Sequence, residues 1–298
     1  MKFSIVIPTR NRQETLRRCL AAAMNQDYPD YEVIVVDDAS SDGTEDLVRD
    51  EFPQVRYLRQ EINRGPAAAR NCAIQEARGD IIAFTDDDCV PPTNWLQRHL
   101  EYYDDQIIGA VGGPQTPRLP NFFDKVEIAH YADEYRGLKR ITRVSDWEGL
   151  ATSNMSVRRV VFEEIGFFDE QFLTGADPEF ARRINRAGYV LVRDPSLSVE
   201  HLKVHTLCSY LRMRFRRGCG SILADIKADS LGIRRFVPFL NIARAWQDWR
   251  NFREMFGGGQ MEFFCFWGLL VISRWADITG RIYYYWTVGR SYRPLTQI

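Results

Sequence analysis

Four short segments near the start of the chain are almost wholly apolar: "FSIVI", "YEVIVV", "VRYL" and "IIAF". They are rich in β-branched and aromatic residues, and each is bounded by polar clusters. Between them the apolar positions take helical spacing, at Leu16, Cys19, Leu20 and Ala23, then Leu47 and Val48, then Ala68, Cys72, Ala73 and Ala77. Strands apolar on both faces, alternating with helices, predict a mostly parallel α/β sheet covered on both sides. Further along, "GAVGGP" predicts another strand. "NFFDKVEIAHYADEYRGLKR" predicts a helix with Phe123, Val126, Ile128 and Tyr131 turned inward. "GLATSNMSVRRVVFEEIG" reads as a strand, a polar turn, and a helix from Val157 ended by Gly166. "DPEFARRINRAG" reads as a helix stopped at Gly188, and "YVLVRDPSLSVEH" as two short strands around Pro195. Beyond His201 nearly everything has helical spacing.

In such sheets ligands bind outside the carboxyl ends of the strands. Here those ends carry "PTRNR", "DDASSDGT" and "TDDDC", which gather Thr9, Asp37, Asp38, Asp86, Asp87 and Asp88 on one edge. Three adjacent carboxylates repel one another and suit a divalent cation, which takes oxygen ligands. On an extended segment Asp86 and Asp88 share a side and Asp87 faces the other way. An acidic cap for the helix at "NWLQRHL" needs only one of the three. "DDASSDGT" matches the first half of a calcium loop, but its twelfth position is Arg49 where a bidentate Glu is required, so that reading fails.

Composition sharpens the picture in two places. The chain of 298 residues is 45% hydrophobic and 27% charged, which is globular and large enough for a domain plus an appendage. Its net charge of −1 conceals an asymmetry: from Lys203 onward there are 15 basic and 6 acidic residues, against 24 and 34 before it. A basic, aromatic-rich rear suits an anionic partner, either a membrane surface or a phosphorylated substrate; a nucleic-acid partner is not expected. The six cysteines show no metal-ligand spacing and read as free thiols of a reducing compartment. The opening "MKFSIVIPTRNR" reads as mature chain rather than a secretory leader, and the longest apolar run, Phe263 to Ile272, is too short to span a bilayer. The expected location is the cytoplasm, with peripheral contact to the inner face of a membrane.

The ordered set "SIVIPTRNR", "EVIVVDDASSDGT", "NRGPAAARN", "GDIIAFTDDDCVP", "ATSNMSVRR" and "GFFDEQFLTGADPEFARRINRAG" resembles the motifs of glycosyltransferase family 2 over about residues 1–220. The resemblance implies a GT-A fold, a nucleotide-diphosphate sugar donor, Mg²⁺ or Mn²⁺, and inversion at the anomeric carbon. It places residues 1–202 in a catalytic domain, with a nucleotide-sugar half to about 110 and an acceptor half after it, and 203–298 in a helical appendage. Carried over by position, Pro8, Thr9, Arg12, Asp37, Asp38 and Arg70 face the nucleotide. "TDDDC" resembles the D-x-D motif: Asp86 and Asp87 face the donor, Asp88 ligates the metal with Asp86, and His201 completes the site. Asp177 matches the general base, although the family's preceding Glu is Ala176 here, which leaves acceptor identity open. Ser153, Asn154, Arg214 and Arg217 are candidate acceptor or phosphate contacts. UDP is the commonest donor nucleotide of the family, and glycan or lipid-linked acceptors are usual.

Plainer alternatives stand beside these. Arg70 could be a solvated helix residue, Asp177 a favourable charge at a helix start, His201 a core histidine, and Ser153 with Asn154 a turn. A sugar-1-phosphate nucleotidyltransferase shares the sheet and the metal aspartates but needs a glycine-rich loop after the first strand, and "PTRNR" has none. A non-catalytic membrane-surface protein is the other alternative. In the rear, "FVPFLNIARAWQDWRNFREMF" aligns Phe239, Ile242, Trp246, Trp249, Phe252 and Phe256 on one helical stripe, followed by "FFCFWGLLVISRW" and "RIYYYWTVGRSYR". Helices lying in a membrane interface have this composition; packing on the catalytic domain, or on a second subunit in a homodimer, is the alternative.

Overall fold

The computed structural model describes residues 1–117, 120–136, 150–172, 174–202, 204–227 and 242–287. Phe239, the segment 288–293 and the end of the helix expected at 137–140 lie outside the described residues, as does the Ile242 side chain.

The chain divides into two compact units. The first comprises Met1–Arg118, Gly137–Gln171 and Ala176–Lys203; the second comprises Leu119–Arg136, Phe172–Gly175 and Val204–Ile298. The first unit is built on a seven-stranded sheet in the order β3-β2-β1-β4-β8-β6-β9. These strands are β1 (Phe3–Thr9), β2 (Tyr31–Asp37), β3 (Arg56–Arg59), β4 (Ile81–Thr85), β6 (Ile108–Gly112), β8 (Asn154–Arg158) and β9 (Val190–Arg193). The pairs around β1 are parallel, and β8 runs antiparallel to both of its neighbours. Burial of β1 and β4 on both faces explains their unbroken apolar sequences.

The helices between the strands are α1 (Gln13–Ala23), α2 (Thr44–Glu51), α3 (Pro66–Glu76) and α4 (Trp95–Leu100), then α6 (Arg159–Ile165) and α7 (Ala176–Arg186). In α1 the buried side chains are the four that the spacing predicts: Leu16, Cys19, Leu20 and Ala23. α3 begins where Gly65 takes a φ of +88° and Pro66 occupies the first turn, a start that glycine permits and proline presets.

The segment around 150–166 differs from expectation. The polar turn comes first, the strand β8 covers Asn154–Arg158, and α6 follows it directly at Arg159. "NMSVR" alternates too weakly to announce a strand, because β8 is wedged between β4 and β6 and buried on both faces. A small second sheet, β5-β10-β7, joins β5 (Cys89–Val90), β10 (Val199–His201) and β7 (Gln115–Pro117).

The second unit is helical: α5 (Phe122–Arg136), α8 (Leu207–Lys227), α9 (Ile242–Phe256) and α10 (Gln260–Thr287). α5 groups with these helices, apart from the sheet. Its buried positions are Asp124, Val126 and Ala129, while Phe123, Ile128 and Tyr131 are half-buried. The stripe on α9 is largely core: Trp249 and Phe252 are buried with Tyr210, Phe266 and Leu269, and Trp246 remains 47% exposed. That part of the rear takes the packed alternative, because neighbouring helices cover it. Among the described residues no helix is long and apolar enough to cross a membrane.

Candidate active site

The parallel register sets Thr9 beside Asp37, so the loops leaving β1 and β2 emerge together. They are stitched to each other. Asn11 N–H donates to Ser40 Oγ at 2.9 Å, and Asn11 Oδ1 accepts from Ser41 N–H at 2.7 Å. Both loops carry a non-glycine residue at positive φ, Asn11 at 51° and Ala39 at 58°. An alanine there has no side-chain bond to offset the strain, a feature that concentrates at functional loops.

Asp37 and Asp38 diverge in role. Asp37 is fully buried, and its carboxylate accepts from Ser40 N–H, the Tyr57 hydroxyl and Arg59, so it fixes the loop. Asp38 accepts Arg64 N–H at 2.7 Å and Gly65 N–H at 2.9 Å, one on each oxygen. Each oxygen keeps a second lone pair for a base or ribose donor. Pro8, one residue before the end of β1, pairs with Val36.

The three aspartates after β4 separate as their alternation demands. Asp87 turns inward to the Thr9 hydroxyl at 2.8 Å and to Arg12 Nη1 at 2.8 Å. Burial pushes its carboxyl up to about 6, against the pull of Arg12. Asp86 receives Arg70 Nη2 at 2.7 Å, and Arg70 is itself buried, so this arginine is a fixed partner and not a solvated face residue. Burial raises the Asp86 carboxyl, with the charges of Asp88 and Asp177 adding to the rise and Arg70 opposing it. Asp177, far away in sequence, is therefore an electrostatic neighbour of Asp86. Asp88 offers Oδ2 to Arg12 Nη1 at 2.9 Å and Oδ1 to His201 Nε2 at 3.5 Å. A shallow cavity of about 510 Å³, lined by Asn11, Arg12, Asp42 and Asp88 among others, opens over this group.

Because β8 is antiparallel, its first residues lie at the carboxyl end of β4, with Asn154 paired to Thr85. This brings Thr152 and Ser153 to the site edge. Thr152 donates both its N–H, at 3.1 Å, and its hydroxyl, at 3.2 Å, to Asp177 Oδ2 in the first turn of α7. The Asp177 Oδ1 accepts no hydrogen bond among the described residues. Ser153 Oγ is buried and without a hydrogen-bond partner there. Asn154 is a structural residue: it is fully buried, accepts from Trp95 Nε1 at 2.8 Å, and donates to the carbonyls of Pro114 and Leu197. Nothing of it is left for an acceptor. Arg214 and Arg217 belong to the second unit, where Arg217 pairs with Glu127 and both arginines hold the Glu127 carboxyl down against its burial. Sequence reasoning missed Thr152 as the partner of Asp177, since only the antiparallel placement of β8 makes them meet.

The donor set for a cation can be tested on these atoms. Asp88, Cys89 and His201 each bring one ligand atom within 4.8 Å of the others, because β10 pairs His201 with Cys89. Burial and the charges of Asp86 and Asp88 push the Cys89 thiol far up, and a soft sulfur is a poor match for a hard cation. A carboxylate and an imidazole remain. That mixed pair fits Mn²⁺, which accepts imidazole, better than Mg²⁺, which prefers oxygen alone.

The family profile described as "Glycosyl transferase family 2" matches residues 4–166. The chain belongs to this family. The Haloferax volcanii protein named "Glycosyltransferase AglE" is 31% identical over 237 residues, spanning 78% of this chain and 76% of its own length. A Methanococcus voltae protein named as a dolichyl N-acetyl-α-D-glucosaminyl phosphate 3-β-D-2,3-diacetamido-2,3-dideoxy-β-D-glucuronosyltransferase is 25% identical, spanning 80% and 78%. Among solved structures, the mannosyltransferase PcManGT from Pyrobaculum calidifontis, held there with GDP-Man and Mn²⁺, superposes with a TM-score of 0.66 at 22% identity, covering 96% of this chain and 88% of that one. The architecture is that of GT-A enzymes, and this family 2 member is a nucleotide-sugar glycosyltransferase.

Proposed function

We propose that this enzyme is metal-dependent and inverting, and that it moves a sugar from a nucleoside diphosphate to a hydroxyl of a lipid-linked glycan acceptor at a membrane surface. The observation that carries the reading is the meeting of Asp88 Oδ1 and His201 Nε2 at 3.5 Å beside the partly open Asp86 carboxylate. Asp88 and His201, with Asp86 alongside, would hold a divalent cation of the Mn²⁺ kind. Bound there, the cation would supply Lewis-acid neutralisation of the diphosphate leaving group. The Mn²⁺ in the GDP-Man complex of the structural neighbour supports this choice.

The chain's own residues would do the rest. Asp38 orients the nucleoside through its spare lone pairs, and Arg70 holds Asp86 in place at the donor. Arg12, bound to Asp87 and Asp88, can turn its remaining N–H groups to phosphate, since its side chain is 45% exposed. Asp177 takes the proton of the acceptor hydroxyl at Oδ1 as the bond to the anomeric carbon forms. Thr152 fixes Oδ2, which supplies the support that Ala176 in place of glutamate does not. One base opposite the leaving group gives inversion in a single displacement. The lipid-linked acceptor class rests on the dolichyl phosphate saccharide named for the Methanococcus voltae relative.

The test is nucleoside diphosphate release from a panel of UDP-, GDP- and dTDP-sugars with Mn²⁺, Mg²⁺ or chelator, together with lipid-diphosphate saccharide acceptors. Release with one nucleotide series, stimulated by Mn²⁺ and abolished by chelator, is expected. Full turnover in chelator would overturn the metal assignment, and retention of anomeric configuration in the product would overturn the single displacement.

A further inference from the structure

Surface helices usually turn their charges to water and their apolar side chains inward. α10 does the reverse. From Phe263 to Thr287 its charged residues are Arg274, Asp277 and Arg281. Asp277 is 4% exposed and Arg281 8%. Asp277 Oδ2 accepts from Arg274 Nη1 at 3.0 Å and from Arg281 Nε at 3.2 Å, and Arg281 comes within 4.0 Å of Asp225 on α8. Asp277 and Arg281 thus neutralise one another inside the unit, with Arg274, its side chain 32% exposed, at the edge of the group. Facing out are Phe264, Ile272, Trp275, Ile282, Tyr283 and Trp286, with Phe264 71%, Trp275 54% and Trp286 56% exposed. At 100° per residue the exposed side chains fall within an arc of about 120°, and the three charges lie on the opposite arc.

The packing behind this face is of the same kind. A Cβ on Gly218 would stand 2.0 Å from the Asp277 carbonyl oxygen, and one on Gly280 would stand 2.0 Å from that of Phe215. α8 and α10 therefore meet backbone to backbone through glycine, as helices do where lipid surrounds them.

We propose that the outward arc of α10 is a membrane-binding face that lies in the headgroup region of an anionic bilayer. A row of large apolar side chains left to water along one helix face is a liability for a soluble protein, and it marks an interaction surface. The apolar surface covers one side of the helix only, which suits a helix lying in the interface, and no described helix can cross. Trp275, Tyr283 and Trp286 supply the rings that favour headgroup depth. A second copy is the other candidate occupant. A symmetric contact through this face would bring together two rear segments that each carry 15 basic against 6 acidic residues. Anionic lipid complements that charge, and Arg212 and Arg216 on α8 are exposed. The proposal stands independently of the sugar-transfer chemistry.

The test uses the full chain and liposome flotation, with light scattering in parallel. Vesicles of phosphatidylcholine and phosphatidylglycerol should float it on the order of tenfold better than phosphatidylcholine alone, with the advantage lost at high salt. The combined variant Phe264→Glu, Ile272→Glu, Trp275→Glu should lose flotation and keep its thermal transition, since all three side chains face solvent. Should that variant fail to fold, brominated lipid read on the wild type and on Trp275→Phe decides: quenching that shrinks in the variant supports the face, and no quenching overturns it. Wild-type protein that stays at the bottom of the gradient, or a folded triple variant that floats as well as wild type, overturns it. So does a stable dimer that the triple variant dissociates in the absence of any flotation.

Discussion

Asp88 in the sheet unit and Asp277 in the helical unit are both nearly buried carboxylates, 6% and 4% exposed, and both are answered by arginine. Their partners differ. Arg12, which neutralises Asp88, has a side chain 45% exposed and can be displaced or recruited by a ligand; the other Asp88 oxygen lies 3.5 Å from His201 Nε2. Asp277 is neutralised from its own helix, by Arg274 three residues before it and by Arg281 four residues after it, the latter with a side chain only 9% exposed. A buried carboxylate with an exchangeable partner holds charge ready for a ligand. One with a fixed partner has spent its charge on the fold.

Replacing each by its amide should separate the two cases. Asp88→Asn removes the carboxylate proposed as a hard ligand and keeps the shape. Transfer should fall by about 10³-fold or more, the worth of several kcal/mol of charge stabilisation at the leaving group. Thermal stability without ligand should hold or rise, because one of three adjacent like charges is gone. Steady-state kinetics and calorimetry on the same preparation read both. Turnover unchanged in saturating Mn²⁺ would remove Asp88 from the site.

Asp177→Asn sharpens the comparison within the sheet unit, since Asp177 has Thr152 on one oxygen and the other oxygen free for chemistry. Turnover should fall by about 10²–10⁴, the usual contribution of a general base, with donor affinity nearly unchanged. A collapse of donor affinity in a folded variant would move Asp177 to the donor side of the site.

These residues also measure how far the sequence could be read. The apolar strands and the carboxyl-edge aspartates were legible because strand periodicity and sheet topology are local consequences of local patterns. Burial on both faces of β1 and β4 left no ambiguity. The roles of Asp37 and Asp38 were not separable, because Tyr57 and Arg59, which occupy Asp37, arrive from β3 through the parallel register. Asn154 read as a candidate acceptor or phosphate contact, with a turn as the alternative, because a polar side chain gives no sign in sequence of being wholly enclosed. In the fold it is held at zero exposure by bonds from three other segments. Thr152 gave no signal at all. In the rear, aromatic periodicity located the helices but could not tell core from outer face: α9 buries Trp249 and Phe252, while α10 exposes Trp275 and Trp286.

In the helical unit, Asp277→Asn should do the opposite of Asp88→Asn. It leaves Arg281 buried with its nearest counter-charge removed, which costs about 3 kcal/mol. Urea unfolding followed by tryptophan fluorescence, with seven tryptophans in the chain, reads the loss. Transfer by the folded fraction should be unchanged. A stability loss below about 0.5 kcal/mol, the scale of surface substitutions, would mean that the pair is solvated and the charges on α10 do not turn inward.

The smallest expected effect separates the two faces of α10 itself. Gly268 lies on the outward arc and a Cβ there meets nothing within 4 Å, whereas Gly280 on the inward side would meet the Phe215 carbonyl oxygen at 2.0 Å. Glycine inside a helix is less stable than alanine by roughly 0.5–1 kcal/mol because it loses more backbone freedom on folding. Gly268→Ala should therefore stabilise the protein by about that amount, and it should not weaken binding to anionic vesicles, since it adds a methyl group to the face proposed to enter lipid. Gly280→Ala should destabilise it, because a methyl group forced against backbone costs about 1–3 kcal/mol of overpacking. Both are read from denaturant midpoints at unchanged slope. Opposite signs would fit a helix with one open face and one face packed backbone to backbone. A destabilising Gly268→Ala would show that the outward arc is already covered in the isolated protein, and would count against lipid as its occupant.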